Sequence, residues 1–175
     1  GRPKWGYIGV WQDLLIAGAD PLVYEKKRVG GKTHDGTTSR FLVVMNRHNG
    51  RVLWSREARY GFRHNAIVLG NGKLYTIDRL PETIIALMAR RGRKPTGRPQ
   101  LLALDARSGR EVWSTTRDVF GTWLGFSSEH DLLLHCGRAA SDMLLDEPSN
   151  RMVVYRGRDG TVRWDKPQSH GGPCL

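Results

Sequence analysis

The residues of this chain best suited to acid–base or metal chemistry are its six histidines and two cysteines. Helical metal sites place two histidines four residues apart, and structural zinc sites use Cys-x-x-Cys pairs. Neither spacing occurs, and Cys136 and Cys174 lie far apart in the sequence. The carboxylates form no obvious acid–base pair, and no Gly-x-Ser-x-Gly nucleophile motif is present. The sequence therefore predicts no metal site and identifies no catalytic residue.

Basic side chains offer a second kind of chemistry, which is the binding of anions. The formal net charge of +11 favours a polyanionic partner, although the same charge also promotes solubility. The densest group of cations is Arg90, Arg91, Arg93 and Lys94. It lies in residues 79–99, where six basic residues and one acidic residue give a net charge of +5. Two interpretations of this group stand: a polyanion contact, or a solvated helix end.

Three gapless repeats are the elements that must position any functional residue. They are residues 41–54, 100–113 and 151–164, and in each a glycine stands four residues before a tryptophan. The pairs are Gly50 and Trp54, Gly109 and Trp113, and Gly160 and Trp164. An apolar run, a turn former followed by glycine, and a second run that ends on tryptophan predict a β-hairpin. A large aromatic residue at a fixed place in each unit is typical of a wedge between stacked sheets.

A second, weaker hairpin pattern precedes each of these repeats. Residues 7–18, 64–77 and 122–136 each predict a strand, a short polar turn and a return strand. Units of four antiparallel strands are typical of propeller blades. The predicted fold class is therefore all-β: a β-propeller of four-stranded antiparallel blades, present as an incomplete ring with short helical insertions.

The middle repeat resembles the repeat of the pyrroloquinoline-quinone (PQQ) family of propellers. That family has the pattern Ala-x-Asp-x-x-Thr-Gly-x-x-x-Trp, and at its places this chain has Ala103, Asp105, Ser108, Gly109 and Trp113. The other two repeats keep the glycine and the tryptophan, but Asn46 and Arg156 stand at the aspartate position. The resemblance covers the strands of nearly the whole chain and not the insertions.

On this pattern we expect one partial propeller domain over residues 1–175. Its blades are predicted at about 5–54, 61–113 and 120–164, with the start of a fourth at about 169–175. Closed propellers have about four to eight blades. We therefore expect the remaining blades to lie in the full-length protein.

Three insertions join the two hairpins of each blade, at residues 19–40, 79–99 and 138–150. They occupy the same place in every blade and are predicted to lie on one face, which in repeat proteins is often the binding face. Pro81 followed by helix-forming residues predicts a short helix over 81–89, with the cations of residues 90–94 at its C-terminus.

Two histidines recur near the start of inner strands, close to the expected propeller axis. They are His64, with its neighbour Asn65, and His170. One interpretation is that they bind a central ligand. The alternative is that they form hydrogen bonds at a turn or strand end.

The resemblance implies two functions. Quinoprotein dehydrogenases of the family bind PQQ, usually with Ca²⁺, and their catalytic members also use a vicinal disulfide and a catalytic aspartate. Other members bind no cofactor, and this chain has no Cys-Cys pair. We expect a non-catalytic scaffold or binding module that contacts a protein partner through loops on one face and carries no cofactor. The alternative is a segment of a PQQ-dependent dehydrogenase, so enzymatic activity stays open.

The place of the protein in the cell is not decided by these residues. No run of roughly 18 apolar residues is present, so no transmembrane helix is predicted. The family resemblance favours the periplasm or the cell envelope.

Overall fold

The computed structural model describes residues 4–22, 38–137 and 151–167 of the chain. These residues form eleven strands and one helix. The first seven strands are β1 Trp5–Trp11, β2 Leu14–Pro21, β3 Thr38–Asn46, β4 Val52–Gly70, β5 Lys73–Asp78, β6 Gln100–Asp105 and β7 Glu111–Thr115. The last four are β8 Trp123–Ser127, β9 Leu132–Cys136, β10 Arg151–Arg156 and β11 Val162–Pro167. The helix is α1 Glu82–Arg90.

The strands form two antiparallel sheets. The first contains β1 to β7 in sequence order, and the second contains β8 to β11 in sequence order. Strand β4 is 19 residues long and pairs first with β3 and then with β5. Its pairing register with β5 shifts between Phe62 and Ile67, where the strand passes from the outer edge of one four-stranded unit to the inner edge of the next. The predicted all-β class, with four-stranded antiparallel units and a short helix, is confirmed.

The core lies between the blades. Successive side chains of a strand point to opposite faces of the sheet. On β5, Leu74 therefore packs with first-blade residues such as Ile16 and Leu42, whereas Tyr75 and Ile77 pack with residues of the third blade. Because both faces of the middle blade are covered, every residue from 74 to 77 is fully buried.

The tryptophan that ends an outer hairpin docks on the hairpin turn of the following blade. Trp54 Nε1 donates a hydrogen bond to the carbonyl of Ala106 at 3.0 Å. Trp113 Nε1 donates to the carbonyl of Gly157 at 2.8 Å. The same contact is therefore made at both junctions between blades.

The glycine of each turn makes room for the indole ring. Gly109 and Gly160 have φ values of +70° and +72°, a conformation that side-chain-bearing residues rarely adopt. A Cβ atom on Gly109 would lie 2.6 Å from Trp54 Cδ2, and one on Gly160 would lie 2.7 Å from Trp113 Cε3. Glycine is thus required twice, for the turn and for the close approach of the ring.

The outer faces of the first and third blades lack such a partner among the described residues. Gly50 has the same turn conformation, with φ +71°, but no atom within 4 Å of its Cβ position. Trp164 is 39% exposed, and Ile8 and Val162 are also exposed. A depression of about 550 Å³ beside Trp164 is lined by Arg156, Arg158 and Arg163 among others. The described blades therefore form an open arc.

Helix α1 is the part of the middle insertion that the sequence pattern predicted. Pro81 stands directly before it, and Arg90 lies in its last turn. The helix has nine residues, and no helix in the described parts of the chain has the length and apolarity to cross a membrane.

Replacing Gly109 by alanine should lower the free energy of unfolding of the full-length protein by about 2–3 kcal/mol. About 1 kcal/mol of this is backbone strain at positive φ, and the rest is displacement of the Trp54 ring by the new methyl group. Denaturant unfolding monitored by tryptophan fluorescence measures both.

The matched control is Gly72→Ala. Gly72 also has a positive φ, of +75°, but no atom lies within 4 Å of its Cβ position. The free energy of unfolding of Gly72→Ala should fall only by the backbone strain of about 1 kcal/mol. Equal losses at the two positions would show that the tryptophan contact contributes nothing.

Candidate functional site

The insertion of the middle blade, residues 79–99, begins and ends at the same point of the sheet. It leaves β5 after Asp78 and enters β6 at Gln100, and these two residues pair with each other. Of the other two predicted insertions, residues 23–37 and 138–150 lie outside the described residues. Within the described residues, the candidate binding face therefore consists of residues 79–99.

A buried carboxylate organises the base of this insertion. Asp78 is 4% exposed. Its Oδ2 accepts a hydrogen bond from the amide of Arg59 at 2.6 Å, and its Oδ1 accepts from the amides of Tyr60 at 2.8 Å and Gly61 at 2.9 Å. These three amides belong to the first crossover, residues 59–61, where the chain passes between blades. Asp78 thereby satisfies backbone donors that would be costly to bury unpaired.

The crossover in turn holds the far part of the insertion. The hydroxyl of Tyr60 donates a hydrogen bond to the carbonyl of Thr96. Gly97 follows with a φ of +104°, and a Cβ atom there would lie 2.9 Å from both Arg59 Nη1 and Tyr60 Oη. A chain of contacts thus runs from Asp78 through Tyr60 to the loop at residues 96–97.

The predicted cations are all placed at the surface of this insertion. Arg90 ends helix α1, and Arg91, Arg93 and Lys94 follow it directly. All four are exposed. The turn that carries them closes the helix through Gly92, whose φ is +66°.

The other predicted binding residues lie elsewhere. His64 Nε2 and the hydroxyl of Ser39 are hydrogen-bonded at 2.8 Å. Ser39 is fully buried, so this pair joins β3 to β4 and offers no accessible nucleophile. Asn65 is exposed beside it. His170 lies outside the described residues.

The repeat residues serve the hairpin turns. Ala103 is fully buried on β6 opposite Tyr75 and Trp113. Asp105 Oδ1 accepts hydrogen bonds from the hydroxyl of Ser108 at 2.7 Å and from its amide at 2.8 Å. These bonds lower the pKa of the Asp105 carboxyl below its ordinary value. The side chain thus holds the turn that receives Trp54.

The other two repeats hold their turns with different residues. Asn46 Oδ1 accepts a hydrogen bond from the amide of His48 at 2.9 Å, as Asp105 does for its own turn. In the third repeat, Asp159 Oδ1 accepts from the amide of Thr161 at 3.0 Å. The departures from the family pattern at Asn46 and Arg156 therefore leave the turn supported.

Sequence reasoning missed His135, which has a role at the junction of the second and third blades. It is fully buried, its Nε2 accepts a hydrogen bond from the amide of Gly121 at 2.9 Å, and its ring centroid lies 4.4 Å from that of Phe120. Burial, with smaller contributions from the nearby charges of Arg79 and Arg151, lowers the pKa of His135 to about 3. Nothing in its sequence neighbourhood distinguishes it from the other five histidines.

The depressed pKa of His135 predicts a loss of stability in mild acid. In the unfolded chain this histidine takes up a proton near its ordinary pKa of 6.5, whereas in the folded protein it stays neutral down to about 3. The contribution of neutral His135 to the free energy of unfolding is therefore present above pH 6.5, and it is lost progressively as the pH falls below 6.5. The free energy of unfolding should fall by about 1 kcal/mol per pH unit between roughly pH 6 and pH 4.5. Denaturant midpoints in that range measure the effect.

The variant His135→Gln keeps a hydrogen-bond acceptor at this place but cannot titrate. Its absolute stability is expected to be lower, but its pH dependence between pH 6 and pH 4.5 should be flatter by about one proton. Parallel pH profiles for the two proteins would contradict the assignment. Carboxyl groups titrate mostly below this range, since the ordinary pKa of aspartate is about 3.9.

Comparison with known proteins agrees with this architecture. The protein family described as outer membrane protein assembly factor BamB matches residues 29–172. No curated protein matches the sequence.

Solved structures with the same fold come from several kinds of protein. BamB from Moraxella catarrhalis superposes with a TM-score of 0.52 at 12% identity, covering 89% of this chain and 33% of that chain. A quinohemoprotein alcohol dehydrogenase from Pseudomonas putida HK5 superposes with a TM-score of 0.56 at 15% identity, covering 94% of this chain and 26% of that chain. The WD40 domain of coronin from Toxoplasma gondii superposes with a TM-score of 0.50 at 15% identity, covering 90% of this chain and 33% of that chain.

These likenesses concern the fold alone, and they confirm the predicted propeller. The chain spans a third or less of each of these three proteins. The family match, by contrast, extends over most of the chain. The chain therefore belongs to the family of PQQ-like repeat propellers that is described as outer membrane protein assembly factor BamB.

Proposed function

We propose that this chain is part of a non-catalytic propeller that binds a partner protein through insertions on one face. The observation that carries the proposal is the construction of residues 79–99. This insertion contains a helix with a capped C-terminus and is tied to the blades through Tyr60 and Thr96. Such a segment presents its side chains in fixed positions, which reduces the ordering cost of binding a partner.

Several polar groups between the blades support this proposal, because structural contacts engage them. Both oxygens of Asp78 accept backbone hydrogen bonds. His64 is bonded to Ser39, and the tryptophan N–H groups are bonded to carbonyls. Function on this fold is therefore better sought on the rim than between the blades.

The described residues do not fit the calcium site that usually accompanies PQQ. Calcium takes about six to eight oxygen ligands, usually including carboxylates. In the described parts of the chain, no three His, Cys, Asp or Glu residues are grouped so that they could hold a metal ion. The carboxylate most deeply buried, Asp78, has its oxygens engaged by three amides. A dehydrogenase mechanism therefore finds no support in these residues.

The family description also supports partner binding, since it names an assembly factor.

We further propose that additional blades complete the ring. Trp54 and Trp113 are each docked on a neighbouring turn, whereas Trp164 is exposed and the Gly50 turn is open. The outer face of the third blade thus offers a tryptophan, and the outer face of the first blade offers a glycine turn. These are the two groups that meet at each junction between the described blades.

Replacing residues 81–97 of the full-length protein by a short Gly-Ser turn should remove partner binding and leave the propeller folded. Asp78 and Gln100 already pair, so a short connection can join β5 to β6. The partner that the intact protein retains in its own host is identified by mass spectrometry, and its affinity is then measured with purified components. We expect a loss of at least about tenfold.

The control is Arg51→Gln with Arg110→Gln, two exposed arginines in the hairpin turns β3–β4 and β6–β7. It should bind the partner as the intact protein does. Unchanged affinity of the shortened protein would overturn the proposal. So would oxidation of alcohols with an artificial electron acceptor after addition of PQQ and Ca²⁺.

A further inference from the structure

The middle insertion carries a group of cations that we name the cationic rim: Arg90, Arg91, Arg93, Lys94 and Arg98. All five side chains are exposed. In the described residues, ion pairs elsewhere join Arg40 to Glu57 and Arg56 to Glu111, but none involves the rim. The strands thus neutralise many of their charges locally, whereas no described residue forms an ion pair with the cationic rim.

The backbone beneath the cationic rim is held at several points. The amide of Arg93 donates to the carbonyl of Met88 at 2.9 Å, and the amide of Gly92 donates to that of Ala89 at 3.0 Å. With Gly92 at a φ of +66°, these two bonds form a Schellman motif, which satisfies the last carbonyls of the helix. The contact between Tyr60 and Thr96 holds the other end of the rim.

Exposed Arg59 adds a sixth charge to this surface. Its Nη1 approaches within 2.9 Å of the Cβ position of Gly97, next to Arg98. Its amide is fixed by Asp78. Because the backbone is fixed, an anionic partner meets several cations at once without ordering the loop first.

The composition of the insertion favours carboxylates as the complementary groups. Most of the cations are arginines, whose planar guanidinium matches a carboxylate or a phosphate in bidentate geometry. The two anions are distinguished by what else surrounds the cations. Single-stranded nucleic acids are usually held by stacking on aromatic side chains, and residues 79–99 contain no Phe, Trp or Tyr. Helices that bind membrane surfaces expose an apolar face, but Ile84, Ile85 and Met88 are each partly buried.

We propose that the cationic rim is the docking site for an acidic polypeptide segment of the partner protein. This inference rests on the proposed function and specifies the chemistry of its contact. Association should be fast at low salt and should weaken as salt is added, because exposed charges are screened within about 10 Å at 0.1 M salt.

The test measures binding of a fluorescent peptide of ten glutamates to the full-length protein at low salt. Arg91→Gln with Arg93→Gln should weaken binding ~10-fold and reduce its salt dependence. Arg90 is left in place because a cation there stabilises the helix C-terminus. The control, Arg51→Gln with Arg110→Gln, removes the same amount of charge and should weaken binding less than about twofold.

Equal weakening by the two variants would overturn the inference, because it would mean that the peptide responds only to net charge. Tighter binding of a ten-nucleotide thymidine strand, or of vesicles rich in phosphatidylglycerol, would also overturn it. The proposed function is judged separately with the identified partner. If the Arg91 and Arg93 variant binds that partner normally while the shortened protein does not, the acidic contact is wrong and the binding face stands.

Discussion

The docking of each tryptophan on the glycine turn of the next blade is the contact on which the rest of the arc depends. Burial of apolar surface between two sheets is favourable but has no preferred direction. The hydrogen bonds from Trp54 to Ala106 and from Trp113 to Gly157 add that direction at each junction. Because the same geometry recurs, the described blades meet in the same way at both junctions.

The crossovers between blades create a second requirement. A chain that passes from one sheet to the next leaves amides outside the regular ladder, and buried amides must find acceptors. Asp78 supplies them at the first crossover, and His135 supplies one at the second. The histidine is the costlier choice, since its Nδ1 has no hydrogen-bond partner among the described residues and burial disfavours its charged form.

The division between blades and rim follows from these requirements. Glycine and tryptophan at the junctions, and the polar residues at the crossovers, are committed to holding sheets together. Within the insertion, Arg79 is also committed to the blades through a hydrogen bond to the Phe120 carbonyl, and the far end is anchored through Tyr60 and Thr96. The cationic rim can therefore present its charges at the surface without weakening the core, which suits a fold that supports different functions.

Much of the fold was predictable because its signals are local. A turn former followed by glycine, an apolar run on each side and a closing tryptophan predicted the hairpins, and Pro81 predicted helix α1. The exposure of the cations after this helix also followed from their local sequence. The first repeat has Asn46 at the position of Asp105, and each side-chain oxygen accepts a hydrogen bond from the amide two residues later.

What the sequence by itself determined is the repeated blade, since hairpin turns and alternating strands depend on residues a few positions apart. Only the tertiary structure decided which groups meet across blades. Asp78 reaches amides 17 to 19 residues earlier in the chain, and Trp54 reaches a carbonyl 52 residues later. Tyr60 likewise anchors Thr96, 36 residues away. Such contacts depend on sheet pairing and blade packing, so no local sequence pattern predicts which atoms they join. The shape of the candidate binding face depends on these contacts.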